Sequence, residues 1–203
     1  MNSKRLIAIA NLVEKNSKVI DIGTDHAYVP IILYKNNITS NILATDISKR
    51  ACLNAKNNLK RNNIENIDVI ESDGFENIHG NYDVAILSGM GTRTILKILE
   101  TNNLPDKLII SSQNDYGTLR KELNKKGYKI VKEIVIYEKK YYPIIKYEKG
   151  NEKLSQEEIL FGKSKNINYY NYLSKKYNKL YNQSKTEKFL NYQNLLSKII
   201  EKI

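Results

Sequence analysis

An acidic side chain, a histidine and a glycine come directly after the first short apolar run of this sequence. Asp25 and His26 come after Val19–Ile22 and the turn residue Gly23, and they precede a helical pattern that begins near Ala27. Glycine permits the sharp turn between a strand and a helix. An open α/β sheet binds ligands outside the carboxyl ends of its strands, so both side chains are expected at a ligand crevice. An ordinary helix cap is the alternative role for Asp25.

A second acid, Asp46, ends the apolar run that begins at Ile42. In dinucleotide-binding folds, an acid about 20 residues after the strand-turn-helix start bonds the hydroxyls of a ribose. Asp46 follows Asp21 at a similar separation, so it is a candidate for a ribose, with Ile47 beside it. The first turn contains Gly23 but no G-x-G-x-x-G series, which gives little support for tight pyrophosphate binding.

Three later apolar runs also end in residues that can turn the chain or meet a ligand. Glycines around a methionine let backbone N–H groups approach a ligand, although a tight strand-to-helix connection uses glycine in the same way. An Asp-Gly pair is likewise an ordinary turn. These residues are, in chain order, Asp73 and Gly74, then Gly89, Met90 and Gly91, then Gln113 and Asn114.

Alternating extended and helical patterns predict the elements that position these side chains. Strands are predicted over 19–22, 42–44, 67–70, 82–87, 108–111, 129–137 and 141–148, and helices over 3–14, 27–34, 49–61, 92–100 and 116–126. Such alternation indicates a doubly wound α/β sheet. The last two strands follow each other without a helix, so the seventh should run antiparallel to its neighbours. This arrangement is that of Rossmann-like methyltransferases more than of dehydrogenases.

The apolar pattern of residues 151–203 predicts a second domain after Gly150. This domain is expected to be a coiled-coil-like antiparallel hairpin of two helices. Apolar residues recur there at spacings of three and four, which places them on one face of each helix. A break near Gln183 separates the two helices. The apolar positions are Tyr170, Leu173, Tyr177 and Leu180, then Phe189, Tyr192, Leu196, Ile199 and Ile203.

The charge balance favours a polyanionic partner. The 203 residues contain 33 basic and 22 acidic side chains, a formal net charge of +11, and residues 151–203 contain 10 of the basic and 5 of the acidic ones. Lysines that neutralise phosphates gain from counterion release, so a nucleic acid is the expected partner. A solvated surface that reflects compositional bias is the alternative, since 28 of the 33 basic residues are Lys.

The cysteine count and the hydropathy pattern exclude several classes. A single Cys excludes a disulfide framework, and two histidines without a cluster of ligands predict no metal site. No apolar run approaches the ~20 residues of a membrane span, and the first residues do not resemble a secretory signal. We therefore expect a cytoplasmic protein without a membrane partner.

Four motifs together resemble the bacterial tRNA (adenine(22)-N1)-methyltransferase family. They are SKRL at residues 3–6, DIGTDHAYVP at 21–30, SGMGT at 88–92 and the pair Gln113-Asn114, and the terminal helical hairpin agrees with them. The run DIG-[ST]-DHAY-[LV]-P is specific, because no general Rossmann rule requires Asp-His-Ala-Tyr after the glycine. The chain departs from the family where Thr92 replaces a glycine and where a proline is missing between Gln113 and Asn114.

The resemblance implies a class I methyltransferase that uses S-adenosylmethionine to methylate N1 of adenosine 22 in the D arm of tRNA. It also implies roles for individual residues: Asp25 is catalytic, and Asp46 takes the place of the ribose-binding acid. We predict the neighbouring His26, Ile47, Gly89 and Met90 as further cofactor-binding residues. The cofactor positions that match the family are Arg5, Asp21, Gly23, Asp73 and Gly74.

The chemistry of adenine N1 sets what the substrate site must supply. N1 already has a lone pair, so positioning is the main requirement, and a carboxylate that accepts from the exocyclic N6 would orient the base and stabilise the developing positive charge. Asp25 is the candidate for this carboxylate. Tyr28 or Tyr141 are candidate stacking surfaces for a base that leaves its stack, and Gln113 and Asn114 are further substrate candidates.

The sequence leaves two other functions open. The protein could methylate another RNA or a small molecule, or it could be a basic RNA-binding protein that keeps the fold without activity. The presence of all four acids, Asp21, Asp25, Asp46 and Asp73, argues against an inactive fold. We expect the protein to be a monomer. We also expect that a shortened chain ending at Gly150 retains cofactor binding and loses most of its tRNA affinity.

Overall fold

The computed structural model describes residues 3–76 and 78–203 of the chain. Aliphatic residues form one seven-stranded sheet in the order β3-β2-β1-β4-β5-β7-β6. The strands β1 to β5 are parallel, and β7 lies antiparallel between β5 and β6, which confirms the predicted direction of the last strand. The strands are β1 (Val19–Ile22), β2 (Ile42–Asp46), β3 (Asp68–Glu71), β4 (Val84–Ser88), β5 (Lys107–Ser111), β6 (Tyr128–Glu138) and β7 (Lys140–Lys149).

One helix precedes the first strand, four more connect strands, and together they cover both faces of the sheet. The structure ends α1 at Ala10 rather than at the predicted Glu14, because the N–H groups of Leu12 and Val13 donate to carbonyls three residues back and tighten the chain into turns. Ser3 and Ser48 cap α1 and α3. The helices are α1 (Lys4–Ala10), α2 (Tyr28–Lys35), α3 (Lys49–Arg61), α4 (Thr92–Ile98) and α5 (Tyr116–Lys125).

The central strands are buried on both faces, so the core lies on both sides of β1 and β4. Val19 and Ile86 pack with α1, α2 and α3 on one face, and Ile20 and Leu87 pack with α4 and α5 on the other. Strands that are buried on both faces read as continuous apolar runs, which is how they appear in the sequence.

Three helices follow the sheet, one more than the sequence pattern predicted. The additional helix is α6 (Gln156–Phe161), and it begins at a capping box in which Ser155 and Glu158 each bond the backbone of the other. The predicted hairpin is present as α7 (Ile167–Ser184) and α8 (Glu187–Ile200). Within the described residues, no helix has both the length and the apolar character that crossing a membrane requires.

The apolar faces of α7 and α8 do not pack only against each other. Tyr170, Leu173 and Leu196 are buried as predicted, but they form a cluster with Phe161 of α6 and with side chains of β6 and β7. Ile203, predicted at the end of the second apolar face, is 56% exposed. The hairpin is therefore attached to the sheet by a shared core.

A buried ion pair lies where α6 meets the sheet. Arg120 of α5 and Glu133 of β6 are completely buried, with Arg120 Nη2 2.6 Å from Glu133 Oε1. Arg120 Nη1 also donates to the carbonyl of Ile159 over 3.0 Å, and the N–H of Lys163 donates to Glu133 Oε2 over 3.0 Å. Both charges thus take partners from beyond Gly150, the predicted domain boundary.

Candidate active site

A cleft of about 470 Å³ opens at the carboxyl ends of the parallel strands. Its walls come from α1, from the turns after β1, β2, β3 and β4, and from α4. The predicted residues that line it are Arg5, Asp21, Gly23, Asp25, His26, Tyr28, Asp46, Ile47, Asp73, Gly74, Gly89 and Met90. The fold therefore brings the predicted catalytic residue and every predicted cofactor-binding residue to one cleft.

The turn after β1 contains residues in the left-handed backbone region. Gly23 has φ +73°, and a Cβ at this position would lie 3.1 Å from Met90 Cε. Asp25 and Ala27 also have positive φ, 51° and 53°, a conformation that aspartate tolerates but that is uncommon for alanine. Such conformations persist where surrounding structure imposes them, often at binding sites.

Asp25 does not cap the helix that follows it. The N-cap of α2 is Ala27, which provides no side-chain hydrogen bond. The Asp25 side chain is 67% exposed at the rim of the cleft, with Oδ2 3.5 Å from His26 Nε2. Its carboxylate is therefore available to a ligand, which removes the helix-cap alternative.

Asp46 connects the turns after β1 and β2. Its Oδ2 accepts from the N–H of Asp25 over 3.0 Å, and its Oδ1 accepts from the N–H of Ser48 over 3.0 Å. A carboxylate oxygen has two acceptor positions, so each oxygen retains capacity for a ligand hydroxyl. Asp46 thus holds the backbone of the candidate catalytic residue while it faces the cleft.

Asp21 lies buried at the bottom of the cleft. The pKa of its carboxyl is raised to about 6, mainly by burial and to a smaller extent by the nearby charge of Asp46, whereas the 2.7 Å hydrogen bond from the Thr24 hydroxyl acts in the opposite direction. A buried carboxyl gains from a cationic ligand, which would favour its ionised form.

Arg5 contacts the cleft from the first turn of α1. Its Nη1 donates to the hydroxyl of Ser88, at the end of β4, over 3.1 Å. The guanidinium also lies 5.1 Å from the ring centre of Tyr142, a cation–π geometry. Arg5 is thus held in place at the cleft rather than solvated.

The loop after β4 is bonded to the loop after β5. Gln113 Nε2 donates to the carbonyl of Gly89 over 2.5 Å, and the N–H of Gln113 donates to the carbonyl of Met90 over 2.9 Å. Asn114 Oδ1 accepts from the N–H of Thr92 over 3.1 Å, which caps α4 from outside the helix. The two predicted substrate residues therefore support the cleft loop.

The structure separates the predicted substrate residues into two places. Tyr28 is at the mouth of the cleft, where its ring lies 5.2 Å from that of His26. Gln113, Asn114 and Tyr141 line a different groove, beside the C-terminal helices. Nothing in the local sequence around Tyr141 indicates this, because the groove forms only when β7 meets α7.

Several cleft residues were missed by sequence reasoning. Ser88 and Thr24 lie inside the motifs SGMGT and DIGTDHAYVP, so motif position was an available signal for both. Thr94 and Ile98 line the cleft from α4 with no signal beyond the helical period. Among residues 3–76 and 78–203, no group of three His, Cys, Asp or Glu side chains could hold a metal ion.

Comparison with known proteins extends these observations. Residues 2–145 match a family model described as a methyltransferase domain. A tRNA (adenine(22)-N(1))-methyltransferase of Bacillus subtilis is 32% identical over 158 residues, which cover 73% of this chain and 66% of that protein. TrmK of M. capricolum, solved in complex with S-adenosyl-homocysteine, is 33% identical with a TM-score of 0.84, and the match covers 99% of this chain and 97% of that chain.

This chain belongs to the tRNA (adenine(22)-N1)-methyltransferase family. A second solved structure supports the same assignment over the whole fold. It is a Streptococcus pneumoniae protein, proposed to be a tRNA (m1A22) methyltransferase and solved with S-adenosyl-L-methionine. It is 27% identical with a TM-score of 0.89, and the match covers 98% of this chain and all of that chain. The resemblance of the sequence motifs to this family is confirmed.

Proposed function

We propose that this protein transfers a methyl group from S-adenosylmethionine to N1 of adenosine 22 in the D arm of tRNA, as a cytoplasmic monomer. The observation that carries the proposal is the match to M. capricolum TrmK over almost the entire chain, the C-terminal helices included.

The residues of the cleft fit S-adenosylmethionine. Asp46 offers carboxylate oxygens to ribose hydroxyls, and Ile47, Ile98 and Gly74 offer an apolar slot to an adenine. Arg5 suits the carboxylate of the amino-acid part, and the buried carboxyl of Asp21 suits its ammonium group. When bound, this cofactor supplies a methyl group on a sulfonium centre, which a neutral nitrogen attacks.

Asp25 orients the target base in this proposal. Its exposed carboxylate accepts a hydrogen bond from the exocyclic N6 of adenine, which fixes the face that N1 presents. Positive charge develops on the ring as N1 gains the methyl group, and a nearby carboxylate stabilises that charge. N6 becomes more acidic after methylation, so Asp25 can also accept the proton that leaves N6.

Tyr28 supports the base after it leaves its stack. The ring is 37% exposed at the mouth of the cleft and lies next to His26, so it presents an aromatic face to an incoming adenine. Stacking on aromatic side chains is a common way for proteins to hold an extruded base.

The test is mass analysis of RNase digests after purified protein has been incubated with S-adenosylmethionine and unmodified tRNA. We expect one 1-methyladenosine per tRNA, at position 22. A transcript in which guanosine replaces adenosine 22 is the control and should remain unmethylated. Methylation of the control transcript, or a product methylated at another ring position, would contradict the proposal.

A further inference from the structure

A second concave surface, which we name the tyrosine groove, lies between β7, the start of α5 and the two C-terminal helices. It has a volume of about 420 Å³, within the range of small-molecule sites. The residues that define it are Tyr141, Tyr142, Tyr172, Lys140, Lys176 and Lys188. None of these six residues contributes to the lining of the cofactor cleft.

The groove presents aromatic rings at its surface. The ring of Tyr141 lies 5.1 Å from that of Tyr172 on α7 and 4.9 Å from that of Tyr137 on β6. Tyr172 lines the groove and is 45% exposed, whereas Tyr137 is 60% exposed and lies outside the lining. Tyr172 therefore has ring surface that its protein neighbours do not cover.

The groove is positively charged. Lys140, Lys176 and Lys188 line it, and Asp115 is the one acidic side chain among its described lining residues. The carboxylate of Asp115 already accepts the N–H of Thr118 at the start of α5. Basic side chains interleaved with exposed aromatic rings suit the phosphates and bases of an unpaired nucleic acid strand.

The groove adjoins the cofactor cleft through two contacts. The ring of Tyr142 contacts both Arg5 of the cleft and Lys140 of the groove, with its centre 5.1 and 5.0 Å from the two charged groups. Gln113 of the groove donates to Gly89 of the cleft. A strand whose target base enters the cleft therefore passes close to the groove.

We propose that the tyrosine groove binds a nucleotide that flanks the target adenosine, with its base on the Tyr172 ring and its phosphate near Lys176 or Lys140. This inference rests on the proposed function, because it takes tRNA as the substrate. Extruding the target base breaks stacking with its neighbours, and the groove offers a neighbour a replacement stacking partner. Charge complementarity favours this occupant over an apolar peptide or a second copy of the chain.

The experiment compares matched pairs of variants in the full chain. Tyr172→Ala removes the exposed ring of the groove, and Tyr137→Ala removes another exposed ring that contacts Tyr141 but lies outside the groove lining. Lys176→Gln removes a groove charge, and Lys175→Gln removes its exposed neighbour on α7, which does not line the groove. Tyr172→Trp retains a stacking surface and controls for folding.

The probe is unmodified tRNA, with affinity measured by filter binding over a range of salt concentrations. We expect Tyr172→Ala to weaken binding by about tenfold, in line with the loss of one base stack, and Tyr172→Trp and Tyr137→Ala to remain within twofold. Lys176→Gln should lower the salt slope by about one and Lys175→Gln should leave it unchanged. Binding of S-adenosylmethionine should be unchanged in all five variants.

A fluorescent base reports the contact directly. A D-arm hairpin with 2-aminopurine next to the target adenosine should be quenched by the wild type and by Tyr137→Ala, and should recover its fluorescence with Tyr172→Ala. Equal tRNA affinities for Tyr172→Ala and wild type would overturn the inference. A wild-type protein that forms a dimer, which Tyr172→Ala alone among the variants dissociates, would also overturn it, because the groove would then bind a second copy of the chain. If either result is found for a wild-type protein that methylates tRNA, the inference fails and the proposed function stands. A wild type that methylates no tRNA adenosine contradicts the proposed function instead.

Discussion

Asp25 occupies a left-handed backbone conformation that its own side chain does not require. The N–H of Asp25 is held by Asp46, and the side chain projects to the rim of the cleft. Aspartate tolerates positive φ better than most residues, but alanine does not, and Ala27 in the same turn also has positive φ, so the surrounding structure maintains the turn, as is frequent at functional sites. The position of this carboxylate is thus a property of the turn rather than of a helix cap.

At the residue scale, Asp25→Asn should lower single-turnover methyl transfer by at least tenfold while cofactor affinity remains largely intact. Asparagine tolerates the same left-handed conformation, so the turn is retained and only the charge is lost. Rapid-quench assays of methyl transfer to tRNA measure the rate, and calorimetry measures the affinity. Transfer within twofold of wild type in a folded variant would remove Asp25 from the catalytic step.

Asp46→Ala should weaken binding of S-adenosylmethionine by at least tenfold. It removes the two charge-assisted hydrogen bonds that we propose Asp46 makes to the ribose, each contributing up to about 1.5–3 kcal/mol, and it releases the N–H of Asp25. Calorimetry of the purified variant measures the dissociation constant. Asp68→Asn, which changes an exposed acid of the same sheet, is the control and should bind normally. An unchanged constant for Asp46→Ala would mean that Asp46 is only a strand-end acid.

Asp21 should make the stability of the cofactor-free protein depend on pH. Its folded pKa of about 6 lies above the ordinary value of 3.8, so the folded state binds more protons between pH 4 and 6. The free energy of unfolding therefore falls as pH rises through this window, by up to about 3 kcal/mol. Urea denaturation of wild type and Asp21→Asn measures the effect, which the variant should lack.

Glu14 acts mainly in a different pH range, so it does not obscure this test. Hydrogen bonds from Lys107 and Lys146 lower the pKa of its carboxyl to about 2. Its contribution to stability is present above its ordinary pKa of 4.5 and is lost as pH falls towards 2. A pH profile that is the same for wild type and Asp21→Asn would contradict the buried, protonatable state of Asp21.

At the scale of elements, the Arg120–Glu133 pair joins α5, β6 and the loop after α6. Gly162 of that loop has φ +85°, and a Cβ there would contact both charged groups. The loop thus passes against the ion pair with no space for a side chain. Burying such a pair is costly, and a single charge left without its partner is more costly still.

We expect Arg120→Met to lower the free energy of unfolding by about 3–5 kcal/mol, because it leaves the Glu133 carboxylate buried without its partner. The double variant Arg120→Met/Glu133→Leu should recover most of this loss, since neither charge remains. Glu122→Gln, which breaks the exposed pair with Lys125, should leave stability nearly unchanged. Chemical denaturation monitored by circular dichroism compares the three, and a double variant no more stable than Arg120→Met would refute the explanation.

At the scale of the whole molecule, the hairpin has a charge that suits RNA and a core that it shares with the sheet. Residues 167–200 contain six lysines and one glutamate. The same segment buries Tyr170 and Leu173 against α6 and the last strands. Its position relative to the cleft is therefore fixed by packing.

A chain that ends at Gly150 should still bind S-adenosylmethionine but should lose most tRNA affinity and unfold at a lower temperature. The sheet is complete at Lys149, whereas Arg120 and Glu133 lose their partners Ile159 and Lys163. Adding Arg120→Met/Glu133→Leu to the shortened chain should restore part of its stability. Filter binding over salt concentration tests the RNA contribution. If the shortened and full chains share the same affinity and salt slope, the hairpin does not bind tRNA.

The amino-acid sequence by itself determined the order of strands and helices as far as Gly150, the direction of β7 and most of the residues that line the cleft. Local signals carry this information: buried strands appear as apolar runs, Ser48 precedes its helix, and the acids Asp21 and Asp46 stand at strand ends. Parallel strands place their carboxyl ends at one edge, so residues far apart in the sequence meet there without further specification.

Only the tertiary structure decided that Tyr141 lies in a groove apart from Tyr28, and that Arg120 pairs with Glu133. Sequence periodicity tells which face of an element is apolar but not which element that face will meet. The helix α6 brings Ile159 and Gly162 against a charge from α5 and another from β6, a contact among three separate segments. The groove likewise exists only because packing of the hairpin on the sheet places Tyr172 beside Tyr141.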